Sequence, residues 1–207
     1  MSILYSFSII IGTFSASTIT AYCICLYNNY PFVNPKMKHE KRLDRILTLT
    51  KNIPFLLFQS VGCMFITSDN IIPYGKHTWI ESYNTMILYC LFIEANYYVY
   101  HRFIHKYYYG NIHKKHHENI HVYPFDTFHL TQIDDMALVL SLGLPLAFIK
   151  ISMVEHFLIL YIYITTSYLS HSELFWHHHS IHHRFLYSNF CILVPIFDIL
   201  FGTYKIE

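Results

Sequence analysis

The chain has 207 residues, 54% of them hydrophobic and only 13% charged, which leaves too little polar surface to cover a soluble globule of this size. Fourteen Lys and Arg against thirteen Asp and Glu give a formal net charge of +1, so the electrostatic footprint of a nucleic-acid-binding protein is missing and no nucleic-acid partner is expected. Length and apolarity together predict one all-α membrane bundle, a single domain over 1–207 with N-terminal membrane segments to residue 93 and a histidine-rich region over 94–207.

From Ser2 to Tyr27 no charged residue occurs, and at 1.5 Å per residue this run exceeds the roughly 30 Å hydrocarbon core. No Lys or Arg precedes it and no small-x-small cleavage pattern follows, so a spanning helix is expected rather than a signal peptide. Between Asn28 and Lys51 come Lys36, Lys38, Lys41, Arg42, Arg45 and Lys51, a basic run that places this side in the cytosol by the positive-inside tendency. A second apolar segment, Ile53 to Thr67, is expected to start with Pro54 in its first turn.

The stretch from Ser68 to Trp79, with Asp69, Pro73 and Gly75, reads as a turn on the far side. A third segment from about Ser82 then returns to the cytosol and runs into the histidines. Two apolar stretches between Met136 and Ser170, broken near Lys150 and Ser152, predict a hairpin that dips into the membrane and brings both ends to one face. The last apolar run, Phe190 to Phe201, is too short to span and is expected to pack against the histidine region. The fold expectation is thus about three spanning helices plus a membrane hairpin, under a cytosolic histidine-rich metal-binding cap. Five cysteines sit in apolar stretches without paired spacing and read as small buried hydrophobes.

Sixteen histidines, most of them between His101 and His183, give the sequence its chemical bias. His101 and His105 are four apart, on one face of a helix. His113, His116 and His117 follow at i, i+3 and i+4, and His179, His182 and His183 repeat that spacing after His177 and His178. Three clusters with ligand spacing exceed what a single metal needs, since a catalytic zinc takes about three protein ligands and a structural zinc four. Imidazole without thiolate suits iron, zinc, copper or nickel.

His171 is expected to add a ligand from a separate element, and His129 and His178 are further candidates. His121 reads equally as a loop residue, while His39, His77 and His156 read as structural. Glu94, seven residues before His101 and on the same helical face, is expected to orient His101 or His105; the competing reading is a carboxylate reaching interfacial water. Asp126, Asp134, Asp135, Glu173 and Asp198 are lesser carboxylate candidates.

The ordered motifs HRFIH at 101–105, HKKHH at 113–117, an isolated His171, HHSIHH at 178–183, Asn189, and FDILFGTY at 197–204 resemble the fatty acid hydroxylase superfamily. That membrane family includes sterol desaturases, sterol C4-methyl oxidases and lipid hydroxylases, and the resemblance runs from about Glu94 to Tyr204. It implies a non-haem diiron centre on the cytosolic face of an endoplasmic-reticulum-type membrane, fed by a cytochrome b5-type donor and its reductase. The implied ligands are His101, His105, His113, His116, His117, His171, His179, His182 and His183, with His178 in addition. Two departures stand out: a short interval from His171 to His179, and His129, Leu130, Asp134 and Asp135 where members carry a Pro-x-Glu stretch.

Oxidising an unactivated C–H bond of a lipid needs a redox metal, which favours iron over zinc, although zinc is expected to substitute in preparations. With no haem-attachment or dinucleotide motif in sight, electrons are expected from a separate protein. The expected activity is hydroxylation or desaturation of a sterol-type lipid. Beside it stand hydroxylation of a fatty acyl or sphingolipid chain and, from another class, a histidine-rich membrane protein that binds zinc without chemistry. A membrane-remodelling role would give no reason for the histidine spacing.

Overall fold

The computed structural model describes residues 3–175 and 177–206; Ser2, where the first apolar run was expected to begin, lies outside them. The first run forms α1, Ile3–Tyr27, a 25-residue helix about 37 Å long at 1.5 Å per residue. Its small residues Ser17, Ala21 and Cys25 are fully buried and let α5, Met153–Ser170, approach closely. The hydroxyls of Thr18 and Thr20 meet those of Tyr168 and Tyr161 at 3.0 and 2.8 Å across the same contact.

The second element departs from expectation. Rather than starting at Pro54, α2 runs from His39 to Ile66 and takes the basic run into its N-terminal half, with Pro54 inside it. Tertiary contacts on one face account for its continuity through the proline. Arg45, Thr48 and Asn52, spaced i, i+3 and i+7, are buried and bond Asp126, Lys115 and the Leu130 carbonyl respectively. Gln59 continues the face to the Met136 carbonyl at 3.0 Å.

After a short strand β1, Ile71–Ile72, a Thr78/Glu81 capping box opens α3, Trp79–Tyr107. Its buried i, i+4 row reads Tyr89, Ile93, Tyr97, His101 and delivers His105 one turn further. The two apolar stretches expected to form a hairpin are α4, Gln132–Gly143, and α5, which begins at a Ser152/Glu155 capping box. Between them β2, Ile151–Ser152, pairs in parallel with β1. At 12 residues, about 18 Å of helix, α4 is too short to cross a bilayer.

Two further helices complete the fold, α6 at His178–Phe185 and α7 at Ile196–Leu200. The protein is mostly helical, and among the described residues two helices, in α1 and α2, are long and apolar enough to cross a membrane. Large apolar side chains such as Phe58, Phe65, Ile66 and Val99 are exposed, as lipid-facing residues would be. Of the cysteines only Cys25 and Cys191 are buried; Cys23 is exposed on α1, where an apolar surroundings imposes no penalty on a thiol.

Candidate metal centre

All nine histidines singled out by the motifs converge, and they sort into two groups. His101, His105, His113, His117 and His182 form one; His116, His171, His179 and His183 form the other; within each group the candidate ligand atoms lie within 4.8 Å of one another. The groups abut, with the His117 and His183 ring centroids 4.2 Å apart.

The sorting does not follow the sequence clusters. Residues 113–117 are not one helical face: His113 ends a π-helical turn, Tyr109–His113, and His116 opens a 3-10 turn, His116–Glu118. Lys114 and Lys115 between them keep right-handed helical dihedrals, so His113 and His117, four apart, face the first group while His116 faces the second. On α6 a regular helix does the same by rotation, since His179 and His183 share a face and His182 lies about 100° away. Leu186 then closes α6 in the left-handed conformation at φ 60°, and the chain doubles back so that the Ser188 carbonyl reaches His182.

Proton positions test whether these rings suit a metal. The Nδ1 atoms of His101, His113, His171 and His182 lie 2.8, 2.6, 2.7 and 2.6 Å from the Phe190 carbonyl, the Asp134 carboxylate, the Ser167 carbonyl and the Ser188 carbonyl. Each partner only accepts, so each ring carries its proton on Nδ1 and presents a bare lone pair at Nε2. Yet the His101 and His113 Nε2 atoms face one another at 3.0 Å. Two lone pairs at that distance repel, and a shared cation turns the repulsion into two bonds. The Nε2 of His116 likewise faces those of His171 and His183 at 3.3 and 3.2 Å and the Nε2 of His117 that of His182 at 3.1 Å, and the buried Nε2 atoms of His105 and His179 have no hydrogen-bond partner; a cation fits all of them, because an orphaned buried polar atom is costly.

Burial first, and neighbouring imidazoles second, hold His116, His179 and His183 far below the ordinary histidine range. Burial pushes His171 down to about 4. These rings are neutral at physiological pH, the form that binds metal.

The carboxylates divide differently from expectation. Glu94 does not bond His101 or His105: Oε1 accepts from the Leu193 and Val194 amides and the Tyr163 hydroxyl, and Oε2 from the Ile192 amide, all at 3.0–3.1 Å. His101 is oriented instead by the Phe190 carbonyl, two residues before that Glu94-held turn. The ring partner supplied by a carboxylate is Asp134, buried at 3% exposure and bonded to both His113 and the Tyr100 hydroxyl.

Asp198 also braces backbone, accepting from the Phe190 and Cys191 amides at 2.8 Å and from the Thr203 hydroxyl at 2.7 Å. Asn189 ties His178 to Lys205, and Gly202 turns the tail at φ 67°, a conformation that favours glycine. The terminal motif thus fixes Phe190, whose ring packs on His101, His105 and His182.

The two further candidates stand outside both groups. His178 bonds the Cys191 carbonyl through Nε2 at 3.2 Å, and His129 meets Glu118 at 3.2 Å and Asp44 at 3.6 Å. Of the remaining histidines, His77 pairs with Glu155 and His156 with the Tyr89 hydroxyl.

A family model described as fatty acid hydroxylase matches residues 86–203, more than half of the chain. The chain belongs to the fatty acid hydroxylase family. No protein of curated function and no solved structure is a match. The hydroxylase match encloses all nine clustered histidines, Asp134, Asp198 and Thr203, and leaves outside it α1 and α2, which carry Arg45 and Asn52. This family comprises membrane-associated, oxygen-dependent lipid oxidoreductases, typically dependent on iron, and the two histidine groups of this chain are suited to hold metal.

Proposed function

We propose that this hydroxylase-family chain is a membrane-bound diiron enzyme that uses oxygen and externally supplied electrons to hydroxylate or desaturate a lipid, a sterol-type substrate being favoured. The observation that carries the reading is the pair of buried histidine groups with Nε2 lone pairs turned inward. His101, His105, His113, His117 and His182 would hold one iron, and His116, His171, His179 and His183 the other. Bound iron, given oxygen and two electrons, supplies an oxidant strong enough for an unactivated C–H bond.

The chain's own residues hold the rings and exclude water. Asp134 and the carbonyls of Ser167, Ser188 and Phe190 fix four imidazoles by their Nδ1 protons, so little reorganisation remains when metal binds. Arg45 and Asp126, each 3% exposed and 2.5 Å apart, clamp α2 to the loop that follows His116 and His117. Phe190 and Tyr97 close the first group on its apolar side, and dryness protects a reactive site from side reactions.

That clamp also bears on orientation. Lys41, Arg45 and Lys115 bring the basic end of α2 to the histidine groups, which supports a cytosol-facing centre in an endoplasmic-reticulum-type membrane. Electrons would come from a cytochrome b5-type donor and its reductase. Expression in cells followed by profiling of sterols, fatty acids and sphingolipids is the test. A sterol gaining one oxygen or losing two hydrogens supports the favoured reading, a fatty acyl or sphingolipid product supports the alternative within the family, and unchanged lipids from a metal-loaded chain refute the proposal.

A further inference from the structure

Beside the second histidine group lies an apolar cavity walled by α1, α2, α4 and α5. Along α4 it is lined by Leu138 and Leu142, in the 3-10 turn after α4 by Leu146, and from α1 and α5 by Phe14 and Leu160. A smaller cavity lined by His116, His171 and His179 shares the walls Phe128 and Leu138 with it. One carboxylate stands in the apolar lining, that of Asp135, which is 2% exposed.

The two oxygens of Asp135 are not equivalent. Asn52 donates to Oδ2 through its amide nitrogen, which also donates to the Leu130 carbonyl, so that amide's orientation is set by two acceptors. Oδ1 is buried without a hydrogen-bond partner. An unpartnered buried carboxylate oxygen costs about 1–3 kcal/mol or more, a cost that an incoming donor would remove.

On the reading that the chain oxidises a lipid, we infer that Asp135 is a specificity residue, whose Oδ1 accepts a hydrogen bond from the hydroxyl of a neutral lipid lying in this cavity. Asp135 follows Asp134, the partner of His113, so it sits at the histidine end of α4. Leu142 lies two turns further along α4, about 10 Å away at 1.5 Å per residue, and Leu146 lies beyond the end of that helix. The hydroxyl end of the lipid is therefore held toward the histidines and its hydrocarbon runs away from them. A lipid carboxylate is disfavoured, because once ionised it has no O–H to donate to Oδ1 and would itself be a charge in a low-dielectric site.

The experiment uses the full metal-loaded chain in phosphatidylcholine nanodiscs, doped with cholesterol or hexadecan-1-ol, with the methyl ether of each, or with palmitate. The readout is the lipid mole fraction that half-saturates the rise in thermal unfolding midpoint, alongside metal content. At least one alcohol is expected to act at about tenfold lower mole fraction than its own ether and than palmitate, and the skeleton that does so tells sterol from acyl-type substrate. Asp135→Asn is expected to erase that preference: Asn52 donates to the remaining oxygen, so the new amide group faces the cavity as a donor and serves ether and alcohol alike.

Equal action of alcohol and ether on the wild-type chain, no response to either alcohol, or a preference surviving Asp135→Asn overturns the inference. The wild-type comparison decides alone if the variant does not fold. Because binding is read without turnover, a selective but inactive chain counts against the proposed activity only, and an active, unselective one against Asp135 only.

Discussion

Asp134 accepts the Nδ1 proton of His113 at 2.6 Å, which fixes the tautomer of a ring whose Nε2 meets that of His101. A carboxylate, a histidine and a metal in line raise ligand basicity and set ring orientation. Asp134→Asn removes the acceptor charge and lets the side chain offer a donor to Nδ1. The expected result is a metal affinity about 10–100-fold lower, in line with such partners elsewhere, read by competition with a chelator series. Unchanged affinity would show that Asp134 does not orient a ligand.

His182 and His116 belong to different groups, so their removal separates the two sites. His182→Ala and His116→Ala are each expected to abolish turnover and to reduce bound metal by about one ion per chain, while membrane insertion persists because no apolar segment changes. Full activity in either variant refutes the ligand assignment.

Glu94 holds the 192–194 turn through three amides. Glu94→Gln keeps an oxygen toward Leu193 and Val194 but opposes the Ile192 amide with a second donor. A loss of about 1–3 kcal/mol in stability is expected, seen as a lower unfolding midpoint, with a smaller loss of activity than in the histidine variants. An unchanged midpoint would remove Glu94 from the brace.

Acid should weaken the metal-free protein through its buried imidazoles. His171 titrates near 4 in the folded chain against about 6.5 when unfolded. Its depressed value contributes stability that is present above about 6.5 and is lost as pH falls toward 4. After chelation, the unfolding midpoint should therefore drop between pH 6.5 and 4 and be flat just above that window with respect to this group. No drop would mean that His171 is not buried neutral.

How far the sequence reads into this site depends on which interactions carry a residue-type signal. Imidazoles at helical spacing do, and all nine clustered histidines were legible as a set. Their division was not, since it depends on which faces of elements far apart in sequence meet, His105 with His182 and His116 with His171 and His183. Three of the four groups that orient rings by Nδ1 are backbone carbonyls, of Ser167, Ser188 and Phe190, and a carbonyl looks alike in every residue. Asp134 was legible only as one of several lesser carboxylates; two adjacent acids opening an apolar helix, a costly placement without a partner, are the signal that could have ranked it higher.

The same limit explains Glu94 and α2. The i, i+7 spacing of Glu94 and His101 correctly puts them on one side of α3, but the turn at 192–194, almost a hundred residues away in sequence, takes the carboxylate. Pro54 read as a start because proline disfavours helix interiors by about 3 kcal/mol. The ties of Arg45 to Asp126 and of Asn52 to Leu130 and Asp135 before it, and of Gln59 to Met136 after it, hold both halves of α2 to the same side of the protein and outweigh it.

Metal analysis on protein purified from native membranes, with X-ray absorption at the iron edge, tests the central claim most directly. The account predicts about two irons per chain in a shell dominated by imidazole nitrogen, falling by about one in His182→Ala and in His116→Ala. Zinc alone in such preparations, or a chain that binds no metal, would contradict it.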